Sequence, residues 1–237
     1  MSNLKENNPD CTTCVAHGHS FFNILDKEGL SELALHKTCV TYKRGQFIFN
    51  ENGFPHALYC LNRGKVKLCT IGVDGKEQIL RLVKTGDILG YRALISNERY
   101  HCSAVAIEDS SICVVDRNYF LEATRKHPQL LFEVVRIISR DLKTAEEHIV
   151  SLSQRNVRER MAEALLFFKA TFGFLPDGQT LNVTFSREEI ADYVGTSTES
   201  AIRLLSEFNQ DKIIELDGKK IKITNLPKLL KTANTND

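Results

Sequence analysis

The chain lacks the long apolar segments that mark membrane and secreted proteins. In its 237 residues, no hydrophobic run approaches the ~18 residues that a membrane-spanning helix needs. Met1–Asp10 is too polar for a signal peptide. The seven cysteines are odd in number and scattered, which is typical of reduced thiols rather than a disulfide framework. The sequence therefore predicts a cytoplasmic protein without a membrane partner.

A surplus of either charge sign is also missing. The chain has 31 Lys and Arg against 30 Asp and Glu, and residues 155–237 have 12 of each kind. Because nucleic-acid-binding domains are usually basic, phosphate contacts would have to come from local clusters such as Lys219, Lys220 and Lys222. The scattered histidines lack an adjacent nucleophile and an orienting acid, so an enzyme is not expected.

Four regions follow one another along the chain, and together they predict an α+β fold. Residues 1–20 form a polar tail that contains cysteines. Residues 21–127 carry short β runs between turn signals, which is typical of an antiparallel β-roll (a double-stranded β-helix). Residues 128–154 form a long helix, and residues 155–237 form a separate C-terminal domain. The predicted strands are Gln46–Phe49, Ala57–Leu61, Lys65–Thr70, Gln78–Val83 and Ser103–Val115.

The long helix carries an apolar repeat at spacings of four and three residues, which is the seam of a coiled coil. A strict seven-residue repeat drifts around an isolated straight helix. The pattern therefore favours a homodimer over the alternative, one helix packed on its own barrel. The predicted interface residues are Leu131, Val135, Ile138, Leu142, Ala145, Ile149 and Leu152. Asn156 and Glu159 predict the cap of a further helix, after a hinge.

Two short helices around a glycine turn are predicted from Ser186 onward. Ser186 stands three residues before Glu189, so that their side chains can cap the first helix reciprocally. Gly195 supplies the left-handed turn, and Thr196 or Ser197 caps the second helix. Helix–glycine turn–helix is the arrangement that fits a helix into the major groove of DNA.

A basic β-hairpin is predicted after these helices, around the turn Asp217-Gly218. Its lysines can contact the phosphate backbone as a wing, or they can simply keep an exposed strand soluble. Glu199 and Arg203 lie one turn apart on the second helix and share a face. Glutamate can accept from cytosine and arginine can bridge guanine, whereas the alternative is a capping carboxylate and a surface ion pair. Within the full motif we favour base reading.

The order of these parts resembles the Crp/Fnr family of transcription regulators over nearly the whole chain. The resemblance is carried by residues 64–68 (GKVKL), 86–92 (GDILGYR) and 186–191 (SREEIA), and most specifically by 195–205 (GTSTESAIRLL). It implies a homodimer that binds an inverted repeat in double-stranded DNA, with one recognition helix in each half-site. RNA polymerase is a further partner that the resemblance implies.

By this resemblance, Glu199 and Arg203 match the family's base-reading glutamate and arginine, and they imply a TGA core in each half-site. Thr198 stands where the catabolite-regulator subgroup has arginine, and Ile202 where the oxygen-responsive subgroup has serine, which leaves the flanking bases open. The predicted DNA contacts are Arg187, Thr196, Ser197, Thr198, Glu199, Ser200, Arg203, Lys219 and Lys220.

The sensory region departs from the family's cyclic-nucleotide binders. In those proteins a glutamate holds the ribose hydroxyl and an arginine pairs with the cyclic phosphate. Tyr91 and Cys102 stand at these positions, and neither side chain supplies the required charge at neutral pH. We expect no binding of cyclic AMP, although Arg92 or Arg99 could substitute for the cation. The degenerate pocket comprises Gly90, Tyr91, Arg92, Arg99, Cys102 and Ser103.

The N-terminal cysteines resemble part of a cluster site in the oxygen-responsive subgroup. Cys11 and Cys14 match its first two ligands, Cys113 matches the fourth, and Ser20 holds the third position. His17 could complete a site for zinc or an iron–sulfur cluster. The alternative is a tail without a metal, with Cys113 buried as a small apolar residue.

The sequence as a whole predicts a homodimeric, sequence-specific DNA-binding regulator, in which a signal in the β-roll repositions the winged domains. A redox enzyme that uses Cys11 and Cys14 would need a thioredoxin-like βαβ context, which is absent. A cysteine-based metal or redox sensor that acts through a protein partner would leave the face of Glu199 and Arg203 without a purpose.

Overall fold

The computed structural model describes Cys11, Cys14 and residues 20–234. These residues form two compact units. The first comprises the described residues up to Thr70 together with Arg81–Lys143, and the second comprises Ile71–Leu80 together with the described residues from Thr144 onward. Within the described part of the chain, no helix is long and apolar enough to cross a membrane.

Two four-stranded antiparallel sheets form the β-roll. The strands are β1 (Lys37–Tyr42), β2 (Phe47–Phe49), β3 (Ala57–Arg63), β4 (Lys65–Ile71), β5 (Glu77–Lys84), β6 (Ile88–Leu89), β7 (Ser103–Ala106) and β8 (Ser110–Asp116). One sheet has the order β1-β8-β3-β6, and the other has the order β2-β7-β4-β5. This arrangement confirms the predicted α+β fold with an antiparallel roll.

Alternation along β3 divides its side chains between two cores. Ala57, Tyr59 and Leu61 belong to the core inside the roll, whereas Leu58 and Cys60 belong to a second core on the opposite face. Helices supply most of the rest of that second core, together with Ile88, Val115 and Cys11. The helices are the 3-10 helix Phe21–Ile24, α1 (Lys27–Leu35), α2 (Tyr91–Ser96), α3 (Arg117–Lys126) and the start of α4 (Pro128–Gln154).

The predicted single strand Ser103–Val115 is wrong, because the structure has two strands there, β7 and β8. The chain turns between them, where the Ser110 hydroxyl donates to the Glu108 carbonyl over 2.8 Å, and the two strands belong to different sheets. Strand β1 has no counterpart among the predicted strands. That strand lies at the edge of its sheet and exposes several of its side chains, so it lacks the apolar alternation of the central strands.

The long helix α4 contacts the helical core of the first unit only near its beginning. Leu130 and Val134 are fully buried there. By contrast, the residues of the predicted seam are exposed on the single chain, from 38% for Ile138 to 65% for Ile149. These positions therefore form an apolar stripe that is exposed among the residues that the structure describes.

The second unit contains the C-terminal helices and a small hairpin. Its elements are α5 (Val157–Phe172), α6 (Arg187–Val194), α7 (Thr198–Gln210), β9 (Ile214–Asp217), β10 (Lys220–Ile223) and α8 (Leu226–Ala233). The reciprocal cap of Asn156 and Glu159 at the start of α5 is present, as predicted. The hairpin turn is displaced by one residue from the prediction: Asp217 pairs with Lys220, so the loop is Gly218-Lys219. Gly218 takes the left-handed conformation at its first position, with φ of 57°.

Candidate nucleic-acid interface and sensory site

Local hydrogen bonds fix both helices of the predicted helix-turn-helix. The Ser186 hydroxyl accepts from the Glu189 N–H over 3.0 Å, and the Glu189 carboxylate accepts from the Ser186 N–H over 2.7 Å. Gly195 ends α6 in the left-handed region at φ of 70°. Thr196 and Ser197 were both predicted as possible caps of α7. Ser197 is the cap, because its hydroxyl accepts from the Ser200 N–H. The turn geometry is therefore encoded locally.

Helix α7 has two chemically different faces. Its apolar side is buried through Ala201, Leu204, Leu205 and Phe208, which are at most 4% exposed. Glu199 and Arg203 are exposed on the other side, as base-reading residues must be, while Thr198 and Ser200 are half-buried. The packed face thus holds the polar face toward solvent.

The polar groups on this face are already oriented. The Glu199 carboxylate accepts hydrogen bonds from its own N–H and from the Ser197 hydroxyl, and these bonds lower its pKa. Arg203 does not pair with Glu199; it donates to Glu207 over 2.8 Å. Glu207 also accepts from Arg158 over 2.7 Å. Glu207 was not predicted as a site residue, although its spacing of four residues from Arg203 could have indicated the pair.

The predicted phosphate contacts divide into two kinds. Lys219 and Lys220 are exposed on the hairpin. Arg187 instead joins α6 to the hairpin turn, because one guanidinium nitrogen donates to the Gly218 carbonyl over 2.8 Å. Its Nη1 is buried and has no hydrogen-bond partner within residues 20–234. Arg187 therefore positions the wing relative to the first helix of the motif.

In the β-roll, Tyr91 occupies the position predicted for the ribose contact. Its side chain is buried, and its hydroxyl donates to the carboxylate of Asp141 on α4. The same hydroxyl accepts from Arg81 over 2.9 Å, and Arg81 also pairs with Asp141 over 2.9 Å. Burial raises the pKa of Tyr91 above its usual value. These three side chains, hereafter the pocket triad, form a closed polar cluster.

The other predicted pocket residues differ in burial and in bonding partners. Cys102 is buried, and burial raises its pKa to about 11. Arg99 donates to the Asn52 carbonyl over 2.7 Å and lies over the Phe54 ring. Arg92 is exposed, although its positive charge opposes the effect of burial on Cys102.

The remaining pocket residues have structural partners. The Ser103 hydroxyl accepts from the Glu51 N–H over 3.0 Å. Gly90 has φ of 77° and precedes α2 as its N-cap. Both positions therefore serve the backbone around the pocket.

The cysteines with a predicted metal role lie near other thiols. The Cys14 thiol donates to the Asn62 side-chain oxygen over 2.9 Å. Cys113 lies on β8 directly opposite Cys39 on β1 and Cys60 on β3. A hydrogen bond from Cys113, aided by the charge of Lys37, outweighs burial and lowers the pKa of Cys39 to about 7. Cys39 and Cys60 were absent from the predicted set, because only strand register reveals that they adjoin Cys113.

Comparison with known proteins decides the family. A family model of a cyclic nucleotide-binding domain matches residues 39–127, and one of a Crp-like helix-turn-helix domain matches residues 159–232. The fumarate and nitrate reduction regulatory protein of Vibrio cholerae is 31% identical over 194 residues, which are 81% of this chain and 76% of that protein. The chain belongs to the Crp/Fnr family of transcription regulators.

Other members of the Crp/Fnr family give a consistent picture. The transcriptional activator protein Anr of Pseudomonas protegens is 27% identical over 85% of this chain and 82% of its own length. The structure of FixK2 from Bradyrhizobium japonicum has a TM-score of 0.76 at 25% identity, covering 85% of this chain and 99% of that one. The structure of a CRP/FNR-family regulator from Thermus thermophilus has a TM-score of 0.70 at 25% identity, covering 84% of this chain and 100% of that one. The predicted class, a DNA-binding transcription regulator and not an enzyme, is confirmed.

The pocket of this Crp/Fnr regulator does not fit a cyclic nucleotide. A ribose hydroxyl would need an ionised acceptor where Tyr91 stands, and the Tyr91 hydroxyl is already bonded to Asp141 and Arg81. A cyclic phosphate would need a cation where Cys102 is buried. The two positions that the resemblance assigns to the nucleotide thus hold buried side chains, Tyr91 and Cys102, that do not supply these charges.

In this Crp/Fnr regulator, Cys11, Cys14, Ser20 and Cys113 of the predicted cluster site line one cavity. Ser20 stands at the third ligand position, and its hydroxyl caps the 3-10 helix by accepting from the Phe22 N–H. Among the residues that the structure describes, no group of three or more histidine, cysteine or acidic side chains is arranged to hold a metal ion. The predicted ligand His17 lies outside the described residues.

Proposed function

We propose that this regulator is a homodimer that reads an inverted-repeat DNA site through α7 and acts with RNA polymerase. Its switching signal is one other than a cyclic nucleotide. The observation that carries the proposal is the orientation of α7. Its buried side anchors the helix, while Glu199 and Arg203 extend into solvent on the other side. A carboxylate and a guanidinium one turn apart suit the two bases of the single G·C pair in a TGA core, because glutamate can accept from cytosine and arginine can bridge guanine.

The ion pair of Arg203 is compatible with base reading. Exposed i,i+4 pairs stabilise a helix by only about 0.3–0.5 kcal/mol, so the guanidinium can leave Glu207 at little cost. Glu207 then keeps its contact with Arg158, which also pairs with Asp211 over 2.6 Å. The carboxylate is not left unpaired when Arg203 turns toward guanine.

The exposed stripe of α4 supports dimerisation. Leu142 and Ile149 are 58% and 65% exposed on one chain, in a repeat that a second copy of the helix can cover. A two-fold dimer presents two recognition helices to half-sites about 34 Å apart. This is the geometry that an inverted repeat requires.

The pocket triad supports a sensor that does not use cyclic nucleotides. It bonds the β-roll to Asp141, on the same helix as the stripe. In place of a ligand between the roll and this helix, the chain supplies its own tyrosine and arginine. We infer that the signal acts on the roll elsewhere and reaches α4 through this contact.

Selection of bound sequences from random DNA tests the proposal directly. The expected result is an inverted repeat of half-sites with a TGA core, spaced by one helical turn. Arg203→Ala should weaken binding to that site by about 1–3 kcal/mol, roughly 5- to 150-fold, and relax the preference for its guanine. Arg125→Ala, which removes an exposed arginine from α3, is the matched control and should bind as the parent does. Equal affinity of the parent and Arg203→Ala for selected and random DNA would contradict the proposal.

Titration with cyclic AMP and cyclic GMP tests the sensory part. Neither nucleotide should produce saturable binding heat, or raise the melting temperature, at millimolar concentration. Saturable binding in the micromolar range would show that Arg92 or another cation completes the pocket, and it would overturn this part of the proposal.

A further inference from the structure

Strand register aligns three cysteines in one row across the first sheet. Cys39 on β1 is directly opposite Cys113 on β8, and Cys113 is directly opposite Cys60 on β3. Residues directly opposite in antiparallel strands share a face, with Cβ atoms about 4.5–5.5 Å apart. The three thiols therefore project from the same side of the sheet.

That side is the one covered by the helices, not the interior of the roll. Val115 and Leu58, two residues from Cys113 and Cys60, belong to the helical core. Lys37 precedes Cys39 by two residues and is opposite Val115, so its buried ammonium lies on the same face. The row thus combines neighbouring thiols with a fixed positive charge.

The members of the row differ in access to solvent. β1 is the edge strand of its sheet, and Cys39 is half-buried there, whereas Cys113 lies on a central strand and is only 6% exposed. Cys113 is the residue directly opposite Cys39 across the two strands. A small oxidant can therefore reach Cys39, and the thiol that would react with the oxidised sulfur stands beside it.

The separation of the two strands suits a covalent bond. Directly opposed residues of an antiparallel pair have Cα atoms about 4.5–5.5 Å apart, and disulfides span Cα separations of about 4.4–6.8 Å. The bond between Cys39 and Cys113 can therefore form without moving the backbone. Cys60 is also opposite Cys113 but lies on the far side of β8, on a central strand.

We propose that Cys39 and Cys113 form a reversible intramolecular disulfide, a two-electron redox site in the β-roll whose oxidant is a hydroperoxide. In the first step the Cys39 sulfur attacks one peroxide oxygen. The O–O bond breaks, an S–O bond forms, and the departing oxygen takes the thiol proton and leaves as water when the oxidant is hydrogen peroxide. In the second step the Cys113 sulfur attacks the Cys39 sulfenic acid, and the S–O bond breaks as the S–S bond forms. The hydroxyl leaves with the Cys113 proton as a second water.

The electrons balance across these two steps. Two thiols lose two electrons and two protons, and one hydrogen peroxide gains them to become two waters. A dithiol reductant returns both cysteines to thiols by exchange. The site does not depend on the proposed DNA sequence or on a cyclic nucleotide.

The test uses the full-length protein, fully reduced and then treated with one equivalent of hydrogen peroxide. Free thiols are alkylated under denaturing conditions, and the peptides are mapped by mass spectrometry. The parent should fall from seven alkylatable cysteines to five, with one linked peptide pair that contains Cys39 and Cys113. Dithiothreitol should restore all seven. A link from Cys113 to Cys60 or Cys11, or intact Cys39 and Cys113 after other thiols have reacted, would overturn the proposal.

Two variants assign the roles of the pair. Cys39→Ser should slow the oxidation of Cys113 at least tenfold, whereas Cys113→Ser should stop at a Cys39 sulfenic acid that dimedone traps. The matched control is Cys69→Ser, which removes a buried cysteine from the other sheet and should leave the Cys39–Cys113 link unchanged. Equal rates of Cys113 oxidation in the parent and Cys39→Ser would contradict the assignment. The peptide map of the parent decides the disulfide itself, whether or not each variant folds.

Discussion

The helix-turn-helix and the pocket of the β-roll are both held together by short polar contacts, but these contacts leave different groups available. In the helix-turn-helix, Ser186, Glu189 and Ser197 bond to backbone groups at helix ends. Glu199 and Arg203 remain exposed. In the pocket, the side chains themselves bond to one another, and the Tyr91 hydroxyl is already occupied by Asp141 and Arg81.

The difference shows how one family fold can keep one function and change another. A helix cap satisfies backbone N–H groups that every helix leaves unpaired, so it stabilises the motif without using the recognition residues. A buried tyrosine must satisfy its own hydroxyl, and doing so fills the space and the hydrogen-bonding positions that a ligand would need. The recognition side chains of the helix-turn-helix thus stay exposed, whereas the hydroxyl of Tyr91 in the roll is committed to Asp141 and Arg81.

The largest expected effect comes from the apolar stripe of α4, on which the paired action of the recognition helices depends. Leu142→Glu places a charge where the proposed seam is dry, and an unpaired buried charge costs several kcal/mol. We expect a monomer in sedimentation experiments and a loss of specific DNA affinity of about 100-fold or more. Thr144→Glu adds the same charge at an exposed position outside the seam and should remain dimeric. If the Leu142→Glu protein stayed dimeric, the apolar stripe would not be part of the dimer interface.

The next effect concerns the pocket triad. Tyr91→Phe removes the hydroxyl that bonds to Asp141 and Arg81, so the two charged groups keep only each other. We expect a loss of about 1–2 kcal/mol in the free energy of unfolding of the β-roll, measured by urea denaturation. The control is Tyr42→Phe, which changes a tyrosine of the same roll outside the triad and should lower the free energy of unfolding by less. Tyr91→Phe should still not bind cyclic AMP, and gain of binding would show that the triad alone excludes the nucleotide.

A backbone test addresses the helix-turn-helix. Gly195 and Gly178 both have φ near 70°, but a Cβ on Gly195 would lie 3.0 Å from the Leu152 side chain, whereas Gly178 faces open space. Each alanine substitution should cost about 1–2 kcal/mol for the left-handed conformation. Only Gly195→Ala should lower the free energy of unfolding by more than this amount. It should also weaken DNA binding, because the added Cβ displaces the start of α7. Equal losses of stability and DNA affinity in both variants would show that the contact with Leu152 is unimportant.

The smallest effect concerns the wing. Lys219→Gln and Lys220→Gln should each reduce the slope of log affinity against log salt concentration by about one unit. Each should also lower the affinity equally for all DNA sequences. Lys231→Gln removes an exposed lysine from α8 and serves as the control. An unchanged slope in the wing variants would mean that these lysines only keep the hairpin soluble.

Features set by near neighbours were predictable, and features set by strand register were not. The cap of Ser186 with Glu189 and that of Asn156 with Glu159 follow from a spacing of three residues. The hairpin turn was misplaced by one residue, because both Asp217-Gly218 and Gly218-Lys219 can form a two-residue loop. Only the pairing of Asp217 with Lys220 distinguishes them.

The sequence by itself determined the reciprocal caps of α5 and α6, the apolar repeat of α4 and the polar face of α7, because each depends on residues within one or two helical turns. Tertiary structure alone decided which distant groups meet. It brings Tyr91 to Asp141, fifty residues along the chain, and it places Cys39 opposite Cys113. The physical reason is that a hydrogen bond or a thiol pair needs contact within a few ångströms, and strand register and helix packing set that distance independently of position in the chain.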